Sequence, residues 1–228
     1  MKTKQLTLSS LTVGKILFAG GYPSSSPSNR VNVFDPVTKK SCYMPDLPFE
    51  SIQSIDHSRG AGVLIEFSGD SYPMICGGYD NNEHGDCYIY VKSIQKWMTK
   101  SGFGEETSLQ AMVSLGQWAF SAGSRRGNYK NTYSIVDRNG NVKPAQGFSP
   151  AMTVKGACAA VIKEEENGKT IAVVGGQVDR NGKIFEILSM MTIFQCDNLK
   201  EEPVCKQLPD GPSLKTSHCN SNCGVIQD

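Results

Sequence analysis

Apolar runs that end in glycine recur four times along the chain, each followed by a polar stretch and then by a second apolar segment. The runs are "KILFAGG" from Lys15, "YPMICGG" from Tyr72, "QWAFSAG" from Gln117 and "TIAVVGG" from Thr170. Their closing glycines, Gly21, Gly78, Gly123 and Gly176, lie 57, 45 and 53 residues apart. A short continuous apolar run bounded by turn signals predicts a strand buried on both faces. The segments that follow alternate, as in "RVNVFD" and "DCYIYV", so that Val31 and Val33, or Tyr88 and Tyr90, point to one side of a strand. Before the glycine runs lie leaders of small and aliphatic residues, "RGAGVLIEFSG", "LQAMVSLG" and "KGACAAVIKEEENG", each ending in a turn; "LTLSSL" holds that place in the first copy. After the alternating segment comes a short outer strand, as in "KWMTK". Each copy therefore predicts four antiparallel strands, and a period of about 50 residues falls in the range of propeller blades.

The glycine pair has a physical reason in this plan. A strand that turns sharply between packed neighbours needs residues that tolerate positive φ and leave room for a facing side chain. Tyr90 and Trp97 are expected to bury against the neighbouring blade, because a four-stranded sheet cannot cover both its faces alone. Asn139-Gly140, Asn167-Gly168 and Asn181-Gly182 are hairpin dipeptides. Helical periodicity is missing, so the glycines do not open a nucleotide-binding helix.

The order of apolar run, Gly-Gly, polar loop, aromatic-Asp-Pro, Trp and "MP" resembles the Kelch repeat. In "NVFDPVTKKSCYMPDLP", Phe34, Asp35 and Pro36 match the family's aromatic-Asp-Pro turn. The second copy keeps Gly77, Gly78, Tyr90 and Trp97. The first has Ser41 and Cys42 where tryptophan belongs, the third has Ala122-Gly123 and Asp137 without a following proline, and the fourth inserts several residues before Phe194. The resemblance covers nearly the whole chain and implies an all-β fold: a β-propeller of four-stranded antiparallel blades. The blades would span about 1–50, 51–103, 104–152 and 153–212. The tail 213–228, "SLKTSHCNSNCGVIQD", matches the leader "TVKGACAAVIKEE" and reads as the first strand of a fifth blade. A Kelch propeller closes with five to seven blades. The chain is thus expected to be a partial propeller, the alternative being a tail strand that closes a four-bladed ring. A partial propeller would leave two apolar blade faces free for self-association.

Composition narrows the class without changing the fold. With 39% hydrophobic and 20% charged residues the chain is globular, and 23 basic against 22 acidic side chains leave no excess charge to attract nucleic acid or an anionic membrane. No apolar window is long enough to span a bilayer. The expected partner is a protein, recognised by local surface.

Eight cysteines are many for a reducing compartment. On the blade plan Cys76 ends a second strand and Cys87 begins the third, while Cys196 and Cys205 flank the link between third and fourth strands. Hairpin pairing would bring each couple within disulfide reach. Two such bridges favour an extracellular or secreted protein; free thiols in a cytoplasmic one are the alternative. Pairing of Cys42, Cys158, Cys219 and Cys223 stays open. His218, Cys219 and Cys223 hold half of a zinc spacing and no second half follows, so no metal or cofactor is expected.

Catalytic patterns are missing. The three histidines, His57, His84 and His218, fall at different places on the blade plan, whereas a copper oxidase needs converging histidines and tyrosines. "FSAGS" around Ser121 is not a nucleophile elbow, and the carboxylates Glu105, Glu106 and Glu164 to Glu166 are expected to be solvated turn charge. The expected function is therefore non-enzymatic binding of a protein by the loops that follow the glycines: Tyr22 to Arg30, Tyr79 to Asp86, Ser124 to Asn131 and Gln177 to Lys183. Arg125, Arg126 and Tyr129, with Tyr79 and His84, are the candidate partner-binding residues. Two alternatives follow from the resemblance: a piece of a larger propeller enzyme, oxidase or sugar-acting, with catalytic residues elsewhere, and the substrate receptor of a cullin ubiquitin ligase.

Overall fold

The computed structural model describes residues 7–10, 16–19, 29–48, 60–79, 83–100, 102–103, 110–123, 133–145, 154–180, 183–187, 189–209 and 211–215. Among them the chain is all β. Sheet one holds β1 (Thr7–Ser10), β2 (Ile16–Ala19), β3 (Val31–Asp35) and β4 (Lys40–Met44) in sequence order. Sheet two holds β5 (Ala61–Phe67), β6 (Asp70–Tyr79), β7 (Glu83–Val91) and β8 (Lys96–Lys100). Sheet three holds β9 (Ala111–Ser114), β10 (Ala119–Ala122), β11 (Tyr133–Val136) and β12 (Val142–Pro144). The last repeat begins with β13 (Val154–Lys155) and continues through β14 (Cys158–Glu165), β15 (Gly168–Val174), β16 (Gln177–Arg180), β17 (Lys183–Ile187), β18 (Met191–Asp197) and β19 (Val204–Gln207). Its blade is β14-β15-β18-β19, and β13, β16 and β17 form a separate three-stranded sheet. All strand pairs are antiparallel.

The four sheets are propeller blades, as the repeat predicts. Their inner strands pack in order, β1 on β5, β5 on β9 and β9 on β14. Three apolar layers lie between consecutive blades. Leu17, Val31 and Leu47 meet Ile75, Tyr88 and Trp97; Val63, Ile65 and Met74 meet Ala119 and Val136; Phe120 and Ile135 meet Ile171 and Phe194. Phe194 and Phe120 are fully buried with ring centroids 5.1 Å apart, an edge-tilted contact that aromatic rings prefer. Trp97 packs as expected: it is 6% exposed, its ring lies 5.3 Å from that of Tyr90, and its indole N–H donates to the Pro45 carbonyl at 2.8 Å. That bond ties the outer strand of the second blade to the chain leaving the first.

Two boundaries differ from the sequence reading. The second strand does not stop at the glycine pair: β6 runs on to Tyr79 and β7 begins at Glu83, so Tyr79 and His84 lie in strands, not in a loop. The ladder passes the glycines through a bulge between Cys76 and Gly78, with φ of 66° at Gly77 and 140° at Gly78. The stretch Gln177 to Lys183 is likewise no open loop, because β16 and β17 pair across it and Val154-Lys155 joins them. The tail from residue 216, with His218, Cys219 and Cys223, lies outside the described residues.

Candidate binding face

In a meander of four strands the turns between strands one and two, and between three and four, share one end of the blade. The glycines and the connections between strands two and three share the other. At this glycine end φ is 88° at Gly123, 67° at Gly175 and 96° at Gly176, in addition to the bulge at Gly77 and Gly78. Each blade adds a second constraint there. The chain leaving the outer strand donates a backbone hydrogen bond back to the start of the third strand: Leu47 to Asn29 at 2.9 Å, Phe103 to Gly85 at 2.7 Å, Ala145 to Tyr133 at 3.1 Å and Gly211 to Met191 at 2.8 Å. The connections of the second, third and fourth blades therefore rise from stems fixed on both sides, and that of the first blade has its returning side fixed in the same way. A Cβ at Gly102 would lie 1.5 Å from the Gly85 carbonyl oxygen, so the approach that makes the second of these bonds requires glycine.

Above the stems the face is uneven. The second blade extends its hairpin as far as the pair Tyr79 and Glu83, with His84 opposite Gly78. The fourth blade carries the three-stranded sheet β13-β16-β17. Arg125, Arg126 and Tyr129 lie outside the described residues, as do Tyr22 to Ser28 of the first connection. Of the candidate binding residues the structure thus places Tyr79 and His84 on the edge of the extended hairpin.

A residue that the sequence reading passed over sits at the same end. Gln110 precedes β9, is 7% exposed, and its side-chain amide donates to the Cys76 carbonyl of the neighbouring blade at 3.0 Å. Its Oε1 is buried and has no hydrogen-bond partner among the described residues. Buried acceptors are nearly always satisfied, so this oxygen marks a place where a donor from outside the described residues fits. Its one signal in the sequence is a polar residue at the mouth of an otherwise apolar leader.

The cysteine pairs are as expected. Cys76 is the register partner of Cys87, and Cys196 of Cys205. Both pairs are disulfides, with Cα atoms 4.1 and 3.9 Å apart, and all four residues are fully buried between blades. Cys158 is disulfide-bonded as well, and Cys42 is a free, exposed thiol on β4.

At the turn end the charges pair along the surface. Glu164, Glu165 and Glu166 meet Lys169, Lys163 and Lys200 at 2.9, 2.6 and 3.4 Å, so the run is a set of exposed ion pairs in which Glu164 and Glu165 belong to β14 and only Glu166 to the turn. The hydrogen bond and charge of Glu165 hold the Lys163 ammonium above the ordinary lysine range, an effect screened by water at this exposed position. The Arg138 guanidinium lies 3.7 Å from the ring centroid of Phe67, joining the turns of the second and third blades. Ser121 is mid-strand in β10, 2% exposed and opposite Ser134, which is no place for a nucleophile. Among the described residues no three His, Cys, Asp or Glu side chains converge on a metal position, and no helix is long and apolar enough to cross a membrane.

No family model and no curated protein matches the chain. A solved structure, that of YjhT, shares the fold. The two superpose with a TM-score of 0.64 at 12% identity, over 96% of this chain and 73% of YjhT. At that identity the likeness establishes the propeller architecture alone.

Proposed function

We propose that the protein is a Kelch-type propeller module that binds another protein through the glycine end of its blades, and that it does so outside the cell without catalysing a reaction. The observation that carries this reading is the set of fixed stems. Four connections, all held at their base by recurrent backbone bonds and those of the second, third and fourth blades also by positive-φ glycines, stand on a close-packed scaffold, and one of them is enlarged into a sheet of its own. Rigid stems lower the ordering cost that a flexible loop incurs on binding. The connection at Ser124 to Asn131, "SRRGNYKN", adds two arginines and a tyrosine, the residue types that dominate protein interfaces. Two buried disulfides inside blades fit an oxidising compartment.

The test is affinity capture from extracellular fluid with the immobilised chain and two variants. One carries Arg125→Glu, Arg126→Glu and Tyr129→Ala; the other carries Lys92→Glu and Ile94→Ala at the turn end. A ligand held by the unmodified chain and the turn-end variant, and lost by the first variant, supports the reading. Retention by the first variant overturns it.

A further inference from the structure

We infer that Cys158 is bonded to Cys219 or Cys223, and that whichever of these two keeps its thiol is able to take the bond over. The accounting of cysteines leaves no other partner. Of the eight in the chain, Cys76 and Cys87 hold one bridge, Cys196 and Cys205 a second, and Cys42 is free. Cys158 is disulfide-bonded as well, and Cys219 and Cys223 are the two cysteines that remain. One takes the bond, and the other is left with a thiol four positions away.

Register shows that both are within reach. Cys158 opposes Val174, Val174 opposes Met191, and the Gly211 N–H donates to the Met191 carbonyl at 2.8 Å, so the chain leaving β19 passes the end of the blade at which β14 begins. A further bond, from the Leu214 N–H to the Ser189 carbonyl at 2.6 Å, fixes the point from which the tail departs. Two strand spacings of about 4.8 Å separate β18 from β14, and the two residues from Met191 to Ser189 add about 7 Å along the strand direction, which puts Leu214 about 12 Å from Cys158. Cys219 lies five residues beyond Leu214 and Cys223 nine. Extended, those lengths reach about 17 and 31 Å, before the roughly 6 Å that a disulfide itself spans. Val173 packs against the third blade, so Val174 and Cys158, of the other parity, face away from it. The bond fastens the tail to that side of the blade's inner strand.

Moving the bond needs no oxidant. The spare thiol loses its proton and attacks the Cys158 Sγ; a bond forms between those two sulfurs, the bond to the first tail cysteine breaks, and that cysteine leaves as a thiolate that takes up a proton. One disulfide and one thiol are present before and after. Cys158 is only 6% exposed, which keeps dissolved thiols from its sulfur, whereas the spare thiol is carried there by the same short segment as the leaving group. The motif "HCNSNC" is thereby an exchangeable clasp on the fourth blade, a role independent of the loop-binding reading.

The experiment is differential alkylation of the full chain folded under oxidising conditions. After incubation at pH 8 the protein is quenched in acidic denaturant, free thiols are labelled with N-ethylmaleimide, the bridges are reduced, and the released thiols are labelled with iodoacetamide before digestion and peptide fragmentation. Cys42 should carry maleimide in full and Cys158 acetamide in full. Cys219 and Cys223 should each carry part of the maleimide, with shares that add to one per chain. In Cys219→Ser and in Cys223→Ser the remaining tail cysteine and Cys158 should both carry acetamide in full. Maleimide on Cys158 in the parent chain or in either single variant, maleimide confined to one tail cysteine, or none on either would each overturn the inference.

Discussion

Gly78 shows how much of this fold rests on single residues. At φ of 140° it sits where an L-residue is strained, within a bulge that lets β6 continue beyond the disulfide position and still pair with β7. Gly78→Ala should cost about 1 to 3 kcal/mol, read as a lower urea midpoint at unchanged slope. The sequence made this residue legible, because two adjacent glycines after an apolar run have few other uses. It did not show that the strand survives the glycines, since a bulge and a turn demand the same positive φ. Gln110 was illegible for a related reason. Its burial comes from the neighbouring blade's Cys76 carbonyl, and nothing in its own flanking residues encodes that contact. Trp97 lies at the opposite extreme: its spacing from Tyr90 already indicated a buried outer-strand aromatic.

The blade is the unit in which the disulfides act. Each joins adjacent strands of one sheet across 11 or 9 residues, Cys76 to Cys87 and Cys196 to Cys205. In the chain-entropy model loops of that length are worth roughly 2.5 to 3 kcal/mol each. Replacing Cys76 and Cys87 together by Ala should lower unfolding free energy by about that amount in chemical denaturation without reductant. A loss near zero would mean that the bridge constrains only what the ladder already holds. Strand order was readable because each repeat carries its own signals, but the fourth repeat was read short of its structure. "QVDRNGKIFEI" holds an Asn-Gly turn between two segments of mixed polarity, and its pairing depends on Val154-Lys155, more than 20 residues away in sequence. Local pattern shows a hairpin; only the assembled blade shows a third strand to complete it.

Across the whole molecule stability is graded by how many neighbours a blade has. Among the described residues the second and third blades are packed on both sides and the first on one. Native-state hydrogen exchange should therefore show faster opening in β2 and β3 than in β6, β7 and β10. Equal protection in all of them would indicate a single cooperative unit. The order in which the inner strands pack also has a kinetic consequence. Each strand finds its ladder partners within its own repeat and each blade rests on the one made just before it, so contacts between blades join segments synthesised in succession. The Cys76–Cys87 and Cys196–Cys205 disulfides close inside single blades. Such a chain can fold as it leaves the ribosome, blade by blade, and these two cysteine pairs can be oxidised in the same order, the first complete before the third blade is made.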